Sequence, residues 1–245
     1  MKTVRVLLLI CVLEALLVSC TDSSGQSSVA VENSERDNSY EWQYRWLKGI
    51  PCRAPCWENI VPEQTTAEQA LTVMRNNPLV SNPDNTLHRA TPDLGFLDWD
   101  WTGNPRTSNA TEGTGGILLY HKDLPINTVI LISPLFPHPF TFSEVIQAYG
   151  EPSHIAILPV KQQDKIYYNT YIIYLYNGFV LNTRTSFEPD ISIDMALEGL
   201  AFFEPGVNGL STYSEKLPDQ MVEWNGFRNF MYYCRSDNDG ECGVN

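Results

Sequence analysis

Residues 165–187 read K-I-Y-Y-N-T-Y-I-I-Y-L-Y-N-G-F-V-L-N-T-R-T-S-F. The run 165–176 is rich in Tyr and Ile, side chains that suit a pleated, half-buried surface. Asn177-Gly178 then offers the positive-φ pair of a two-residue type I′ turn. The chain returns over 179–187, and Ile191, Ile193, Met195 and Leu197 alternate beyond it. This predicts an antiparallel hairpin with a further strand behind it, and 154–160 reads as a strand in front.

Upstream of that hairpin, L-F-P-H-P-F-T-F-S-E-V-I-Q-A-Y at 135–149 matches I-V-P-E-Q-T-T-A-E-Q-A-L-T-V-M at 60–74. Pro137 falls on Pro62, Thr141 on Thr66 and Glu144 on Gln69. Both segments carry T-x-x-[EQ], a capping box in which the Thr hydroxyl and the Glu or Gln side chain satisfy two orphan amides of a helix start. Apolar residues at the fourth, fifth and eighth positions past each cap lie on one helical face. Asn76-Asn77-Pro78 and Gly150-Glu151-Pro152 are stop signals, Gly and Asn suiting a left-handed C-cap. In the first half the strand candidates are 96–101, 116–122 and 127–133, interrupted by a Gly/Thr/Asn/Ser-rich loop at 102–115. The expected fold class is α+β: two tandem units, each a short capped helix packed on an antiparallel sheet.

The stretch F-T-F-S-E-V-I-Q-A-Y-G-E-P, followed by a Tyr-rich hairpin ending Y-N-G-F-V, resembles the BamE/SmpA lipoprotein family. A tandem pair of such units also resembles the architecture of the β-lactamase inhibitory protein. The resemblance covers 135–187 and extends poorly over 60–133, where the Gly-x-Pro stop is missing. It implies an envelope-located, non-enzymatic protein that binds others through sheet or loop surfaces. It carries over no individual binding residue, because the matching positions are fold-making ones.

The N-terminus has Lys2 and Arg5 ahead of an apolar core over 6–18, marred by Glu14. That is the form of a secretory signal peptide, and it is shorter than the roughly 20 apolar residues of a permanent span. Leu17-Val18-Ser19-Cys20 resembles the bacterial lipobox. By that resemblance 1–19 is removed and Cys20 carries lipid on its thiol and its new amine. Residues 20–39 are rich in Ser, Asp, Glu and Asn without apolar period, and read as a flexible tether. The folded part is expected as 40–134, a first unit with an N-terminal aromatic segment, and 135–245, a second unit with a closing segment around 219–234. Trp42, Trp46 and Trp57, with Tyr40 and Tyr44, read as aromatics that wrap the body and fill gaps, or as an exposed binding stripe.

Of 16 Lys and Arg and 29 Asp and Glu, loss of Lys2, Arg5 and Glu14 leaves 14 against 28, net −14. No basic cluster remains, which argues against nucleic acid as a partner. Cys11 leaves with the signal, so Cys52, Cys56, Cys234 and Cys242 form an even set that favours disulfides outside the cytoplasm. Cross-pairing of the N-terminal with the C-terminal pair is preferred, since long loops constrain the unfolded chain more. Local pairs Cys52–Cys56 and Cys234–Cys242 are the rival. Three and seven intervening residues fit neither a zinc site nor a C-x-x-C redox pair.

No nucleophile elbow, zinc-protease helix, phosphate loop or dinucleotide fingerprint occurs. No catalytic residue, metal or cofactor is assigned, and His88, His121, His138 and His154 are scattered. In Leu97-Asp98-Trp99-Asp100-Trp101 a strand would put both carboxylates on one face, about 6.5–7 Å apart. The preferred reading is Trp toward the core and Asp toward water; the rival takes Asp98 and Asp100 as an acid pair for a glycan-active enzyme. Asp237-Asn238-Asp239-Gly240-Glu241 reads as a turn rather than a calcium loop, and Asn109-Ala110-Thr111 as a silent sequon. The functional expectation is a membrane-anchored extracytoplasmic lipoprotein that binds or assembles a protein or envelope polymer. A glycan-active enzyme and an inhibitor of a secreted enzyme are the alternatives.

Overall fold

Both capping boxes form. In the computed structural model, which describes residues 38–84, 93–102, 115–122 and 127–234, helix α1 (Ala67–Asn76) starts at Thr66. The Thr66 hydroxyl accepts from the Gln69 amide at 3.2 Å, and Gln69 Oε1 accepts from the Thr66 amide at 3.0 Å. Helix α2 (Phe142–Tyr149) repeats the arrangement with Thr141 and Glu144. Each cap is worth about 1 kcal/mol. α1 buries Ala67, Ala70 and Met74, and α2 buries Phe142 and Val145. Gly150 ends α2 with φ 80°, whereas Asn77 ends α1 in extended backbone.

The strands are β1 (Val80–Asp84), β2 (Leu94–Trp101), β3 (Gly116–His121), β4 (Val129–Thr141), β5 (His154–Gln162), β6 (Lys165–Tyr174), β7 (Phe179–Thr185), β8 (Ala196–Phe203) and β9 (Val222–Glu223). They form one nine-stranded antiparallel sheet in the order β1-β2-β3-β4-β8-β7-β6-β5-β9. This overturns the expectation of two tandem α+β units. The halves are fused where β4 pairs with β8, Leu131 opposite Phe203 and Phe140 opposite Leu197. The sheet lies within the unit Ser39–Asn245, and β4 runs through the expected boundary at 134/135.

Pro134, Pro137 and Pro139 make β4 read as a lead-in to the helix, because proline removes a ladder donor. The strand accommodates them in a bulge. Leu135 and Phe140 are five positions apart, while their partners Gly199 and Leu197 are two apart. A second bulge near Ile130 shifts the β3–β4 register between Leu119 and Tyr120. The β6–β7 turn also differs from expectation. Tyr174 pairs with Phe179, so four residues form the loop, with Gly178 at φ 68° and Asn177 outside the positive-φ set. A type I′ turn needs positive φ at both central residues.

One face of the sheet is covered by α1, α2 and the aromatic segment. Trp46 meets Phe140, Phe179 and Phe202 edge-on and stacks on Tyr149 at 5.5 Å. Trp57 stacks on Trp99 at 5.0 Å, and Trp42 lies 4.4 Å from Trp101. Each such ring, once buried, stabilises by about 1.5–3 kcal/mol. Gly116 makes room for Trp99, since a Cβ there would sit 2.4 Å from the indole. On the other face α3 (Val207–Tyr213) and α4 (Leu217–Gln220) set Leu210 and Leu217 against Ile173, Val180, Ala201 and Phe203. The closing segment is mixed: α4, β9 and α5 (Phe230–Tyr233).

Candidate functional site

The aromatic segment resolves as packing rather than an exposed stripe: Trp46 and Trp57 are buried, and Trp42 is partly covered by Trp101 and Phe136. Tyr149, at the end of α2, ties this segment down. Its hydroxyl donates to the Trp46 carbonyl at 2.9 Å, and the Arg53 guanidinium lies 5.4 Å above its ring. Beneath the segment is a small cavity of about 10 Å³ bounded by Trp42, Trp46, Trp101 and Phe136. Gln43 lines it with 1% exposure, and neither of its amide atoms has a hydrogen-bond partner. Arg45 and Glu58 meet at 3.4 Å beside it. Burial pushes the Glu58 carboxyl above its ordinary range, against the pull of Arg45 and the Asn77 hydrogen bond.

Cys52 is bonded to Cys56, the local pairing, with Cα atoms 5.7 Å apart. This corrects the preference for cross-pairing: the loop-entropy argument ranks unfolded chains, whereas the native positions of the sulfurs decide which pairs meet. Cys234 is also disulfide-bonded, and the Cys52–Cys56 bond excludes both of those as its partner. Cys20, Cys242, His88, Asn109 and the 237–241 turn lie outside the described residues. Trp99 and Trp101 point into the core, as the alternation required. Asp100 does not face water: it is 2% exposed, and the Asn82 amide donates to its Oδ2 at 3.4 Å. Ser81 and Asn82 on β1 lie along the edge of β2 and enclose it. A carboxylate closed off in this way is a poor half of a glycan-cleaving acid pair.

Among the described residues no group of three His, Cys, Asp or Glu is placed to hold a metal ion. No helix among them is long and apolar enough to cross a membrane. His121 ends β3, His138 sits in the β4 bulge and His154 starts β5. His154 lines a sizeable hollow.

Two surface regions stand out. The first lies on the α2 face, where β6 begins and β7 ends. Two open hollows of about 480 Å³ and about 420 Å³ share Glu188. Phe187 is 67% exposed, Phe227 45% and Ile166 38%. Tyr168 and Phe230 pack edge-on at 5.8 Å between them. Phe187 and Phe227 thus stand as exposed aromatic rings on two adjoining hollows whose linings also carry Asp164, Lys165, Asp190 and Arg228.

The second is an open cleft of about 780 Å³ at the β9 end of the sheet. His154 on β5 stands opposite Glu223 on β9, Asn225 follows, and Tyr232 comes from α5. Asn225 Nδ2 donates to the Tyr232 hydroxyl at 2.6 Å, and the Asn225 amide donates to the Tyr233 hydroxyl at 3.0 Å. Tyr233 in turn donates to the Gly226 carbonyl and stacks on Trp224 at 5.6 Å. These bonds fix the segment 224–233 in place. His154 Nδ1 and Trp224 Nε1 are buried without hydrogen-bond partners. Burial holds the His154 pKa below its ordinary value, with Glu223 pulling the other way.

Sequence reasoning did not bring these residues together. They are spread over 154–232, and only the two-residue β9 pairing sets Glu223 beside His154. Comparison with known protein families, characterised proteins and solved structures gives no match for this chain.

Proposed function

We propose that the protein is an exported lipoprotein, held on a membrane by lipid at Cys20, whose body is a non-enzymatic binding or assembly module for a protein or envelope polymer. The charged, short apolar leader and Leu17-Val18-Ser19-Cys20 support the export and anchoring. The Cys52–Cys56 bond agrees with an oxidising compartment. The carrying observation for binding is the exposed Phe187–Phe227 surface with its Tyr168 and Phe230 floor. Aromatic side chains of this kind are favoured anchors of interfaces.

The test is affinity capture from solubilised membranes, comparing the acylated chain with a Phe187→Ser/Phe227→Ser double variant. The expected result is a defined component retained by the first and lost from the second, with unchanged circular dichroism and a Tm lowered only by the loss of the Phe227 contacts with Phe142 and Trp224. Identical captures by both proteins would overturn the assignment of this surface. Burial of Asp100 weakens the glycan-active alternative. The inhibitor alternative wants a concave, exposed aromatic sheet face, and the Trp-rich face is covered by α1, α2 and the aromatic segment.

A further inference from the structure

The cleft at the β9 end has a chemistry distinct from the Phe187 surface. We propose that it is a saccharide-binding site, in which Tyr232 offers a ring face to a neutral sugar and His154, Glu223 and Asn225 exchange hydrogen bonds with its hydroxyls. The inference deepens the binding-module reading by naming the polymer it takes, and it involves residues that the Phe187 test leaves untouched.

Three observations carry it. The first is shape: an open cleft of about 780 Å³ is large enough for a short stretch of polymer, since sites for drug-sized ligands occupy about 300–1,000 Å³. The second is the ring. Tyr232 is 53% exposed, yet it is held by the Asn225 hydrogen bond and by edge contact with Tyr233 at 5.0 Å. A fixed, exposed aromatic ring loses little freedom when the C–H face of a pyranose lies against it.

The third is the mixture of polar groups. Glu223 is exposed and makes no ion pair among the described residues, and it accepts only. Imidazole and carboxamide both donate and accept, which matches vicinal hydroxyls that do the same. His154 Nδ1 and Trp224 Nε1 are buried in the cleft wall without partners, so a small rotation that hands either atom a hydroxyl is favourable.

The same inventory argues against other ligands. No cation lines the cleft itself; Arg228, 6.0 Å from the Tyr232 ring, has its Nε committed to the Asn225 carbonyl at 3.1 Å, and the chain is strongly acidic, so phosphates and acidic peptides are disfavoured. A purely apolar ligand would leave the Glu223 carboxylate facing it without hydrogen bonds.

The experiment is calorimetric titration of the acylated full chain, in a detergent that contains no sugar, with cellotetraose, maltotetraose and tetra-N-acetylchitotetraose. At least one is expected to bind, with Tyr232→Ala weakening it about fivefold to tenfold, as loss of an aromatic contact does. Glu223→Gln is expected to weaken binding by a smaller factor. Tyr232 and Glu223 are exposed, and unchanged melting of both variants shows that the fold is kept. The Phe187→Ser single variant is expected to titrate as the wild type; Phe227 is kept because it packs against Trp224 in the cleft wall at 5.4 Å. No heat with any of the three sugars up to about 10 mM overturns the proposal. So does binding that Tyr232→Ala leaves unchanged, or salt-sensitive binding of tetralysine in place of the sugars.

Discussion

Replacing Gln43 by leucine is expected to stabilise the protein, the opposite of what most changes at a buried position do. Gln43 is 1% exposed beneath the aromatic segment, and both its Nε2 and its Oε1 are buried without partners. A buried polar group left unsatisfied costs about 1–3 kcal/mol, while an apolar group of similar shape carries no such penalty. Leucine is close in volume, and the cavity beside it is lined mostly by apolar side chains, Trp42, Trp46, Trp57, Leu79, Trp101 and Phe136, with Arg45 and Glu58 paired to each other at 3.4 Å, so the substitution exchanges desolvation for contact. Allowing for imperfect fit of a branched side chain, the net gain is put at about 1–2 kcal/mol. For a domain of this size that is a Tm rise of about 2–8 °C. Urea unfolding with the disulfides intact is the assay, with Gln43→Met as an unbranched control. The midpoint should rise in both variants at constant m, since the surface exposed on unfolding is the same. A fall in the midpoint for both would refute the reasoning, because it would show that the Gln43 amide is hydrogen-bonded in solution.

Tyr149→Phe removes the hydroxyl that donates to the Trp46 carbonyl. A loss of about 0.5–1.5 kcal/mol is expected, with faster hydrogen exchange at 46–50 rather than in α2, and unaltered exchange at 46–50 would count against the tether. His154 has a folded pKa below its ordinary 6.5, so the unfolded chain takes the proton first as pH falls. Its contribution is therefore intact above pH 6.5 and declines below it until the folded pKa is passed. Removing the opposing carboxylate with Glu223→Gln should steepen that decline, and His154→Gln should flatten it, as read from urea midpoints between pH 7.5 and 5. Pro159→Val should promote self-association visible as a concentration-dependent mass in light scattering; a strictly monomeric variant would show that Pro159 does not guard the edge.

Local patterns were legible because their causes are local. The cap boxes at Thr66 and Thr141 need only a four-residue spacing, and both form. The hairpin of β6 and β7 follows from β-branched and aromatic residues around Asn177-Gly178, although the register makes the turn four residues long. Trp99 and Trp101 point inward because a strand's period is two. Three features resisted because their causes are distant. β4 and β8 meet across some sixty residues of chain, Ser133 Oγ reaching the Leu200 carbonyl, and no periodicity encodes which strand neighbours which. β1 was missed because Val-Ser-Asn-Pro-Asp has the composition of a turn. Asp100 is enclosed by β1, so its burial was hidden along with that strand. The cleft is illegible for the same reason, since its walls come from β5, β9 and α5.

The two ends of the sheet explain why recognition falls to side chains. Among the described residues β9 pairs only with His154 and Ile155, which leaves the rest of β5 as an edge. Pro159 on that edge strand has no amide to offer an incoming strand, and exposed Lys161 follows it. At the opposite end β1 carries Pro83 within its irregular register between Ser81 and Asp84. Proline, charge and irregular pairing are the devices by which sheet edges refuse further strands. A partner that docked by strand addition would meet both obstacles. A partner that docks on Phe187 and Phe227, or a sugar that lies on Tyr232, meets neither, because those residues project from the sheet's face and from its closing segment.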